Sequence, residues 1–552
     1  MSKKNTPDHL FQKALKAHQS GNLKKAEAGY KKIIKRDPTY SDAYHLLGVI
    51  QANQLQEDEA IQNIQHAIEL DECEYYFNSL GNVYLKKGLI QQSCHYLKKA
   101  LEMNDQYVDA YNNLGQALLL AGECVEAMKC FEKMLSLKFD APPLFSNYLS
   151  TLNYLPQVSH EMMLQAHLNF NHLFQSTKSY DRHKTVRRPK KVLRVGYVSP
   201  DFCRGSVGFF IDPILRNHNP DAFKIYCYAN VHRPDDVTSR MQSYVNHWVD
   251  TDMMSDDQMA KRIFQDQIDI LVDICGHFSC NRLPVFARHP APIQITYLGY
   301  PNTTGLSSIQ YRLTDSIVDP DERDRFHSEK LIRLPSPFLC YQPLDNSPEI
   351  SDLPAKNNGY ITLGSFNNLA KINDQVVLTW AKILKQLPTA KLFFKARPFA
   401  DLATCQRVQQ RFQNHGISSD RLILKGHVDS IVLHLEAYHT VDLALDPFPY
   451  HGTTTTCDAL WMGVPVVSLC GDCHASRVGA TLLTSIGLTD LIVYSESEYV
   501  NKTVKICQNL DLLSSIRHQL RPLMQRSKLI DGKAFTISLE DIYRSLWFQE
   551  NA

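Results

Sequence analysis

The feature that most constrains the fold is a repeat of about 34 residues in the first quarter of the chain. Small residues recur there at spacings of 34, 33 and 34 residues: Ala14, Gly48, Gly81 and Gly115. A second set keeps the same spacings: Ala26, Ala60, Ser93 and Ala127. Small residues at such intervals are typical of places where the two helices of a hairpin pack closely. The pattern therefore predicts four helical hairpins stacked on one another.

This pattern resembles the tetratricopeptide repeat, in which each unit is a helix-turn-helix of ~34 residues. Four copies are enough to bury a continuous core between neighbouring units. We expect residues 1–140 to form this α-helical array and residues 141–190 to form a helical linker. Such arrays usually bind proteins in a concave groove, although a scaffolding or dimerisation role fits a short array equally well.

From Lys191 the pattern changes to short β-rich runs separated by segments of helix length. The first series contains "VLRVGYVS", "FKIYCYA", "IDILVDI" and "IQITYLG". The second series, from Tyr360, contains "ITLGSF", "KLFFKA", "LILKG", "VDLALD", "PVVSLC" and "LIV". Strands that alternate with helices predict parallel sheets covered on both faces. We therefore expect two doubly wound α/β domains, at 191–346 and 358–552, with ligands bound beyond the carboxyl ends of their strands.

Charge and hydropathy exclude several classes of partner. The chain has 59 Lys plus Arg and 58 Asp plus Glu, so it carries no basic excess that would attract nucleic acid or an acidic membrane. No uncharged apolar run approaches the ~20 residues that span a bilayer, and "MSKKNTPDHLFQKALK" lacks an apolar signal core. The basic run "RHKTVRRPKKVLR" has no interleaved aromatics and is typical of a solvated linker. These features predict a cytoplasmic protein.

Two patterns that could indicate a metal or haem site are better explained without one. The segment 470–474, "CGDCH", matches the haem-attachment pattern, but no export signal or second cysteine pair accompanies it. The pairs Asp250/Asp252 and Asp319/Asp321 lie in polar stretches where solvated acids are common. We therefore predict no metal and no cofactor.

The segment "PYHGTTTTCDALWMGVP" places four threonines between a predicted strand and a predicted helix. Backbone amides and hydroxyls at the start of a helix attract anions, and the helix dipole adds to the attraction. Asp458 lies four residues after Thr454 and could accept hydrogen bonds from a sugar hydroxyl. A capped helix with no ligand is the alternative.

A second loop of the same kind, "GSFNNLAKIND", follows the strand that opens the second series. Asn367, Asn368 and Lys371 would project from it towards the crevice that the threonines face. A lysine supplies a compact positive charge suited to a phosphate. The chain contains neither a P-loop nor a G-x-G-x-x-G motif, so a kinase or dehydrogenase is not indicated.

Several long segments resemble the protein O-GlcNAc transferases and the related SPINDLY-type protein O-fucosyltransferases. They are "FNNLAKI", "DPFPYHGTTTTCDALWMGVPVV", "HASRVGATLL", "LRVGYVSPDF" and "APIQITYLGYPNTTG". The order of a tetratricopeptide array followed by two Rossmann-like domains is also that of the family. The resemblance implies the GT-B architecture, with two Rossmann-like domains that face each other across a crevice. It also implies an inverting, metal-independent glycosyltransferase that moves a sugar from a nucleotide donor to Ser or Thr of an acceptor protein.

The resemblance assigns roles to individual residues. Lys371 is similar to the lysine that neutralises the donor diphosphate, and Thr453, Thr454 and Thr455 match the loop that holds the phosphates. Asn368 stands where a polar side chain contacts the donor. In the same way Asp458 matches the acid that binds the ribose, and His434 looks like the histidine that stacks near the base.

The general base is less clear from the sequence. Relatives often carry a histidine in the loop after "SPDF", where this chain has Gly205. His277, in "DICGHFSC", follows a predicted strand of the first domain and could bind or deprotonate an acceptor. A structural role for that histidine, or proton transfer to the donor phosphate or to water, are the alternatives.

The donor and the activity also leave alternatives open. UDP-GlcNAc is the preferred donor, with GDP-fucose and a glucose donor as alternatives. A catalytically weak tetratricopeptide adaptor is the alternative from another class. An adaptor would not need Lys371, the threonine run or Asp458, so these residues favour an enzyme.

Overall fold

The structure is a computed structural model of this chain. It describes residues 6–138, 140–180, 192–428 and 430–549. The chain divides into two compact units, Met1–Phe139 with Arg397–Val408 and Asp140–Ala396 with Gln409–Ala552. The basic run at 182–194 falls almost entirely outside the described residues, so its interpretation as a linker stays a prediction. None of the described helices combines the length and the apolar character that a membrane crossing needs.

The N-terminal part of the chain is a series of paired helices, as the repeat predicts. The pairs are α1 (Pro7–Gln19) with α2 (Leu23–Arg36), α3 (Ser41–Asn53) with α4 (Glu57–Leu70), α5 (Glu74–Lys87) with α6 (Ile90–Met103), and α7 (Val108–Leu120) with α8 (Cys124–Leu137). Two further helices follow, α9 (Pro142–Leu152) and α10 (His160–Asn171).

The repeated glycines allow the two helices of each pair to approach. A Cβ atom on Gly48 would lie 2.6 Å from Ile64 Cγ1, and one on Gly81 would lie 2.6 Å from Leu97 Cγ. Such distances are too short for carbon atoms in van der Waals contact. The small residues at the repeat positions are thus explained by packing within each hairpin.

The first lobe is a seven-stranded parallel sheet with helices on its faces. Its strands are β1 (Leu193–Ser199), β2 (Phe223–Ala229), β3 (His247–Asp250), β4 (Ile270–Asp273), β5 (Ile293–Thr296), β6 (Tyr311–Asp315) and β7 (Lys330–Leu334). Its helices are α11 (Gly208–Asn217), α12 (Asp236–Tyr244), α13 (Asp256–Gln265) and α14 (Leu283–Phe286).

The second lobe is a six-stranded parallel sheet. Its strands are β8 (Thr362–Ser365), β9 (Lys391–Lys395), β10 (Leu422–Lys425), β11 (Leu443–Leu445), β12 (Val466–Leu469) and β13 (Ile492–Val493). Its helices are α15 (Pro354–Asn358), α16 (Asp374–Gln386), α18 (Ile431–Glu436), α19 (Thr454–Trp461), α20 (Val478–Ser485), α21 (Glu496–Cys507) and α22 (Leu510–Gln525). Helix α17 (Leu402–Gln413) lies between β9 and β10 in the chain, and its residues up to Val408 group with the first compact unit. A final helix, α23 (Gly532–Gln549), ends the described chain.

Both sheets have a point at which the strand order reverses direction. The first sheet runs β3-β2-β1-β4-β5-β6-β7 and the second runs β10-β9-β8-β11-β12-β13. The reversal lies between β1 and β4 in the first sheet and between β8 and β11 in the second. Ligands of open α/β sheets bind at such switch points, outside the carboxyl ends of the strands. A ligand site is therefore expected at the loops after these four strands. The two sheets also confirm the predicted pair of Rossmann-like lobes.

Three strands, β3, β6 and β7, are absent from the sequence-based expectation. They are short and carry charged residues, which weakens the apolar signal of a buried strand. Arg312 in β6 is almost fully buried, because its guanidinium donates to the carbonyl oxygens of Asn302 and Tyr300 at 2.6 and 2.8 Å. Its two terminal nitrogens are paired in this way, while Nε is buried without a partner among the described residues. A charged residue whose terminal nitrogens are paired is compatible with a core strand.

Several polar contacts join the two lobes behind the switch-point loops. Arg477 Nε donates to the Ile317 carbonyl at 2.8 Å, and Thr481 Oγ1 donates to Asp315 Oδ2 at 2.7 Å. Both partners of the second bond are buried. The loop after β6 is thus fastened to the start of α20.

Helix α23 returns to the first lobe although it ends the chain. Tyr543 Oη lies 3.1 Å from Tyr197 Oη of β1, and Glu540 Oε1 accepts hydrogen bonds from His218 Nδ1 and the Asn219 amide at 2.9 and 2.8 Å. Tyr543 and Tyr197 are fully buried. The first lobe is therefore completed by the last helix of the chain.

Candidate active site

A cleft of about 570 Å³ opens where the switch-point loops of the two lobes meet. This volume lies in the range of ~300–1,000 Å³ that small-molecule sites occupy. Six residues that the sequence analysis expected to face this crevice line its wall: Asn367, Asn368, Lys371, Thr453, Thr454 and Thr455. The first lobe contributes Asp201 and Phe278, which follow β1 and β4.

Buried hydrogen bonds fix the conformation of the threonine loop at the start of α19. Asp446, at the end of β11, accepts a hydrogen bond from the Gly452 amide at 2.7 Å. Thr455 Oγ1 lies 3.1 Å from Asn367 Oδ1 and donates to it. Thr453 precedes the helix, but its side chain forms no capping hydrogen bond. The hydroxyl of Thr453 is therefore available to a ligand in the cleft.

Lys371 places a positive charge in the cleft beside this loop. Its Nζ donates to the His451 carbonyl at 2.6 Å and lies 4.1 Å from the centre of the Tyr450 ring. It forms no ion pair with any carboxylate of the described residues. Burial lowers the pKa of Lys371 to about 8, and the charge of Asp446 opposes that shift. An anion that reached this ammonium would relieve the cost of its burial.

Asn368 stands at the rim of the cleft. It is exposed, and its Oδ1 accepts a hydrogen bond from the Ala370 amide at 3.1 Å, which caps the short helical turn that carries Lys371. The side chain amide nitrogen remains free to reach a ligand. The structure therefore gives Asn368 a local role as a cap as well as a place on the wall.

His434 and Asp458 lie together beside the cleft, not on its wall. Asp458 is buried and accepts a hydrogen bond from Tyr341 Oη at 2.6 Å, while its other oxygen lies 3.6 Å from His434 Nε2. Burial, followed by the charge of Asp458, raises the pKa of Tyr341 well above its usual range, so the phenol remains a donor. Oδ2 accepts no hydrogen bond from the described residues, so it is the oxygen that a further donor could reach.

Lys395 is a buried lysine near the cleft that sequence reasoning did not identify. It ends β9, and its Nζ donates to His434 Nδ1 at 2.6 Å. Burial, followed by the charge of Lys425, lowers the pKa of Lys395 to about 8. Lys395 stands at the carboxyl end of β9, which neighbours β8, and that position is the signal that could have identified it.

The structure contradicts the role in acceptor binding or proton transfer considered for His277. Its side chain is buried, and both ring nitrogens are occupied, by Ser146 Oγ at 3.0 Å and by the Thr304 carbonyl at 2.8 Å. Burial lowers the pKa of His277 well below its ordinary value. The histidine instead fastens α9 to the first lobe.

Asp201, unlike His277, lies on the wall of the cleft and belongs to the first lobe. It follows β1 in the loop that contains Gly205, and it lines the cleft opposite Lys371. Its carboxylate has no hydrogen-bond partner among the described residues; only its backbone amide is bonded, to Ser199 Oγ. Burial raises the pKa of Asp201 to about 6. A carboxylate with these properties can accept a proton near neutral pH.

The expectation that Asp319 is a solvated acid is wrong. Asp319 is fully buried and accepts a hydrogen bond from His474 Nδ1 at 2.7 Å. Asp321, by contrast, is exposed, as are Asp250 and, in part, Asp252. In the described ranges no group of three or more His, Cys, Asp or Glu residues is arranged to hold a metal ion.

Comparison with known proteins identifies the family. The model of glycosyl transferase family 41 matches residues 164–344 and 349–539, about two thirds of the chain. The chain belongs to glycosyl transferase family 41. Models of the tetratricopeptide repeat match residues 30–62 and 75–107. The cleft between the lobes is therefore part of a family 41 domain.

Curated relatives of this family 41 chain carry names that include a substrate. The chain is 40% identical over 418 residues to a probable UDP-N-acetylglucosamine–peptide N-acetylglucosaminyltransferase SPINDLY of Solanum lycopersicum. The matched region covers 73% of this chain and 44% of the relative. It is 32% identical over 375 residues to a probable enzyme of the same name, SEC, of Arabidopsis thaliana, at 65% and 37% coverage. The chain thus spans less than half the length of the curated relatives it matches.

A solved family relative matches over its full length. The structure of a mutant O-GlcNAc transferase of Thermobaculum terrenum superimposes with a TM-score of 0.84 and 28% sequence identity, covering 99% of this chain and 98% of that one. The agreement supports the same order of helical array and paired lobes in this family 41 protein.

Proposed function

We propose that this family 41 chain is an inverting, metal-independent glycosyltransferase that moves GlcNAc from UDP-GlcNAc to Ser or Thr hydroxyls of proteins. The observation that carries the proposal is the Lys371 ammonium, half-buried in the cleft without a carboxylate partner among the described residues. The names of the curated relatives support UDP-GlcNAc as the donor and a peptide as the acceptor.

The leaving diphosphate is stabilised by Lys371 and by the start of α19. When the bond between the anomeric carbon and the phosphate oxygen breaks, negative charge develops on that oxygen. A fixed ammonium and the free amides at a helix start stabilise such charge where it appears. The hydroxyls of Thr453 and Thr454 add donors on the same wall. Because the lysine supplies the positive charge, the reaction does not require a divalent cation.

Asp201 takes the proton from the acceptor. The acceptor oxygen attacks the anomeric carbon from the face opposite the leaving phosphate, which inverts the configuration. Asp201 and Lys371 lie on opposite lobes of the cleft, so proton acceptor and leaving-group stabiliser flank the reacting carbon. The hydroxyl proton passes to the Asp201 carboxylate as the new carbon-oxygen bond forms. The acceptor protein itself is brought to the cleft with the help of the tetratricopeptide array.

The proposal is tested by measuring binding and turnover of UDP-GlcNAc, UDP-glucose and GDP-fucose on a Ser/Thr peptide library. We expect turnover of UDP-GlcNAc that persists in EDTA, because no metal takes part. Lys371→Ala should lower kcat by about a hundredfold or more, the magnitude typical of a lost charge stabiliser. The chain should stay folded, as measured by its Tm and circular dichroism.

A matched control is Lys382→Ala, which removes an exposed lysine from α16 of the same lobe. It should retain wild-type turnover. Selective turnover of GDP-fucose would replace the proposed donor, and equal turnover by Lys371→Ala and the wild type would refute the role of the lysine. Binding of no nucleotide sugar would favour an adaptor.

A further inference from the structure

Asp319 and His474 form a buried pair that spans the two lobes. Asp319 follows β6 in the first lobe, His474 follows β12 in the second, and Oδ2 and Nδ1 are 2.7 Å apart. The exposed fraction of the His474 residue is 5% and that of Asp319 is 0%. Asp319 also accepts a hydrogen bond from Thr314 Oγ1. Neither residue has a role in the diphosphate chemistry described above.

The pair fixes the orientation of the imidazole. Burial alone would raise the pKa of Asp319, but the charge and hydrogen bond of His474 hold it well below its usual range. Asp319 is therefore an anion, and His474 Nδ1 carries the proton that it donates. The ring also packs edge-on against Phe338 at a centroid distance of 5.0 Å. With the ring packed against Phe338 and Nδ1 occupied, the remaining polar atom, Nε2, has a set direction.

His474 lines the cleft, and its Nε2 has no hydrogen-bond partner in the part of the chain that the structure describes. Its loop is tied directly to the phosphate loop: the His451 amide donates to the Ala475 carbonyl at 2.9 Å. The His451 carbonyl in turn accepts the hydrogen bond from Lys371 Nζ. A single residue, His451, therefore connects the proposed diphosphate site to the loop of His474.

The donor sugar is the group that would meet this nitrogen. The sugar is bonded directly to a phosphate oxygen, so its pyranose ring lies within a few ångströms of the diphosphate that Lys371 holds. The cleft lining also includes the apolar residues Pro301, Phe338 and Val478, of which Phe338 packs against the His474 ring. A sugar hydroxyl that reached this part of the lining would find a partner in His474 Nε2, and an unpaired polar group is costly in such a place.

We propose that His474 Nε2 hydrogen-bonds a ring hydroxyl of the donor sugar and selects donors by the presence and configuration of that hydroxyl, with Asp319 as its positioning residue. The inference rests on the proposed function, because it takes the sugar to be carried by a diphosphate at Lys371. Sites built to hydrogen-bond a substrate hydroxyl discriminate strongly against analogues that lack it.

The test compares UDP with UDP-GlcNAc and its 3-deoxy, 4-deoxy and 6-deoxy analogues, using calorimetry for Kd and transfer assays for kcat/KM. In the wild type, loss of one particular hydroxyl should lower kcat/KM by about tenfold or more. In His474→Gln the same deletion should change kcat/KM less than about twofold, because the partner is already lost. The Kd of UDP, which lacks the transferred GlcNAc group, should be unchanged in the variant.

Controls separate sugar contact from structural support. His474→Gln leaves a buried carboxylate unpaired, so the double variant Asp319→Asn/His474→Gln provides a form without that charge. His327→Gln is the matched control: its Nε2 lies 3.8 Å from Asp319 Oδ1, but it does not line the cleft. It should keep the wild-type response to every deoxy donor. Asp319→Asn should weaken the response while keeping His474 in place.

Two outcomes would overturn the inference. One is an equal response of the wild type and both His474 variants to every deoxy donor. The other is a loss of UDP affinity in the His474 variants as large as the loss of UDP-GlcNAc affinity, which would assign the pair to lobe packing. Failure of the proposed function gives a different result, since the wild type would then bind or turn over no UDP-sugar at all.

Discussion

At the scale of single residues, the roles proposed for Asp201 and Lys371 predict that turnover falls at both low and high pH. The pKa of Asp201 is raised to about 6 by burial, and that of Lys371 is lowered to about 8. The carboxylate is lost as pH falls through 6, and the ammonium is lost as pH rises through 8. The profile of kcat/KM, which reports groups of the free enzyme, should therefore be bell-shaped with limbs near these values.

Asp201→Asn separates the two limbs. It should lower kcat by about a hundredfold, within the range of general-base catalysis, and remove the acidic limb while the alkaline limb remains. The measurement is kcat/KM for UDP-GlcNAc between pH 5 and 9.5. An acidic limb that survives in this variant would assign the proton to another group.

The sequence located some of these residues and missed others for a physical reason. Lys371 and the threonines lie on local patterns, a strand followed by a polar loop and a helix, that a single segment reveals. Asp319 and His474 are 155 positions apart, and each alone looks like a common polar residue. Their burial results from tertiary packing between the lobes. The roles assigned to Asn368, His434 and Asp458 by resemblance stay predictions.

At the scale of elements, α9 and α10 are fastened to the first lobe by histidines that remain neutral. His167 Nε2 and Tyr300 Oη are 2.8 Å apart, and His277 contacts Ser146 of α9. Burial lowers the pKa of His167 to about 4 and that of His277 well below its ordinary value of 6.5. The unfolded chain binds protons below pH 6.5 while the folded chain does not. Stability should therefore fall as pH drops from 6.5 towards 4.

His277→Gln tests this structural role. It should lower the Tm at pH 7, because partners worth about 1–3 kcal/mol are left incompletely satisfied. The further drop in Tm between pH 7 and pH 5 should be smaller than in the wild type, since one neutral buried histidine is gone. Affinity for UDP-GlcNAc should be unchanged. A normal Tm combined with lost transfer would instead indicate that His277 takes part in the transfer reaction.

The elements themselves were largely predictable. The 34-residue spacing and ten of the strands follow from periodicity, while β3, β6 and β7 do not, because their charged residues interrupt it. Arg312 shows the reason: its charge is satisfied by carbonyl groups from a distant loop, which no local window reveals. The predicted domain limits at 140, 190 and 346 stay predictions.

At the scale of the whole molecule, the first lobe depends on the last helix. Helix α23 buries Phe535, Leu546 and Trp547 and supplies the Glu540 acceptor to His218. Deleting the chain from Gly532 should leave an apolar face uncovered and give an aggregated protein by size-exclusion chromatography. Glu540→Ala, a milder change, should lower the Tm by about 3 °C while the protein stays soluble.

Asp541→Ala is the matched control for Glu540→Ala, since Asp541 is the exposed neighbour on the same helix. It should leave the Tm unchanged. A deletion variant that remains soluble with the Tm of the full chain would show that the first lobe is complete without α23.

The polar contacts between the loop after β6 and the start of α20 have a consequence for how the two lobes can move. Arg477 and Thr481 of the second lobe donate to the Ile317 carbonyl and to Asp315 of the first lobe. A buried hydrogen bond such as that between Thr481 and Asp315 is costly to break without a replacement partner. We therefore expect any parting of the lobes to keep these two contacts and to widen the cleft elsewhere.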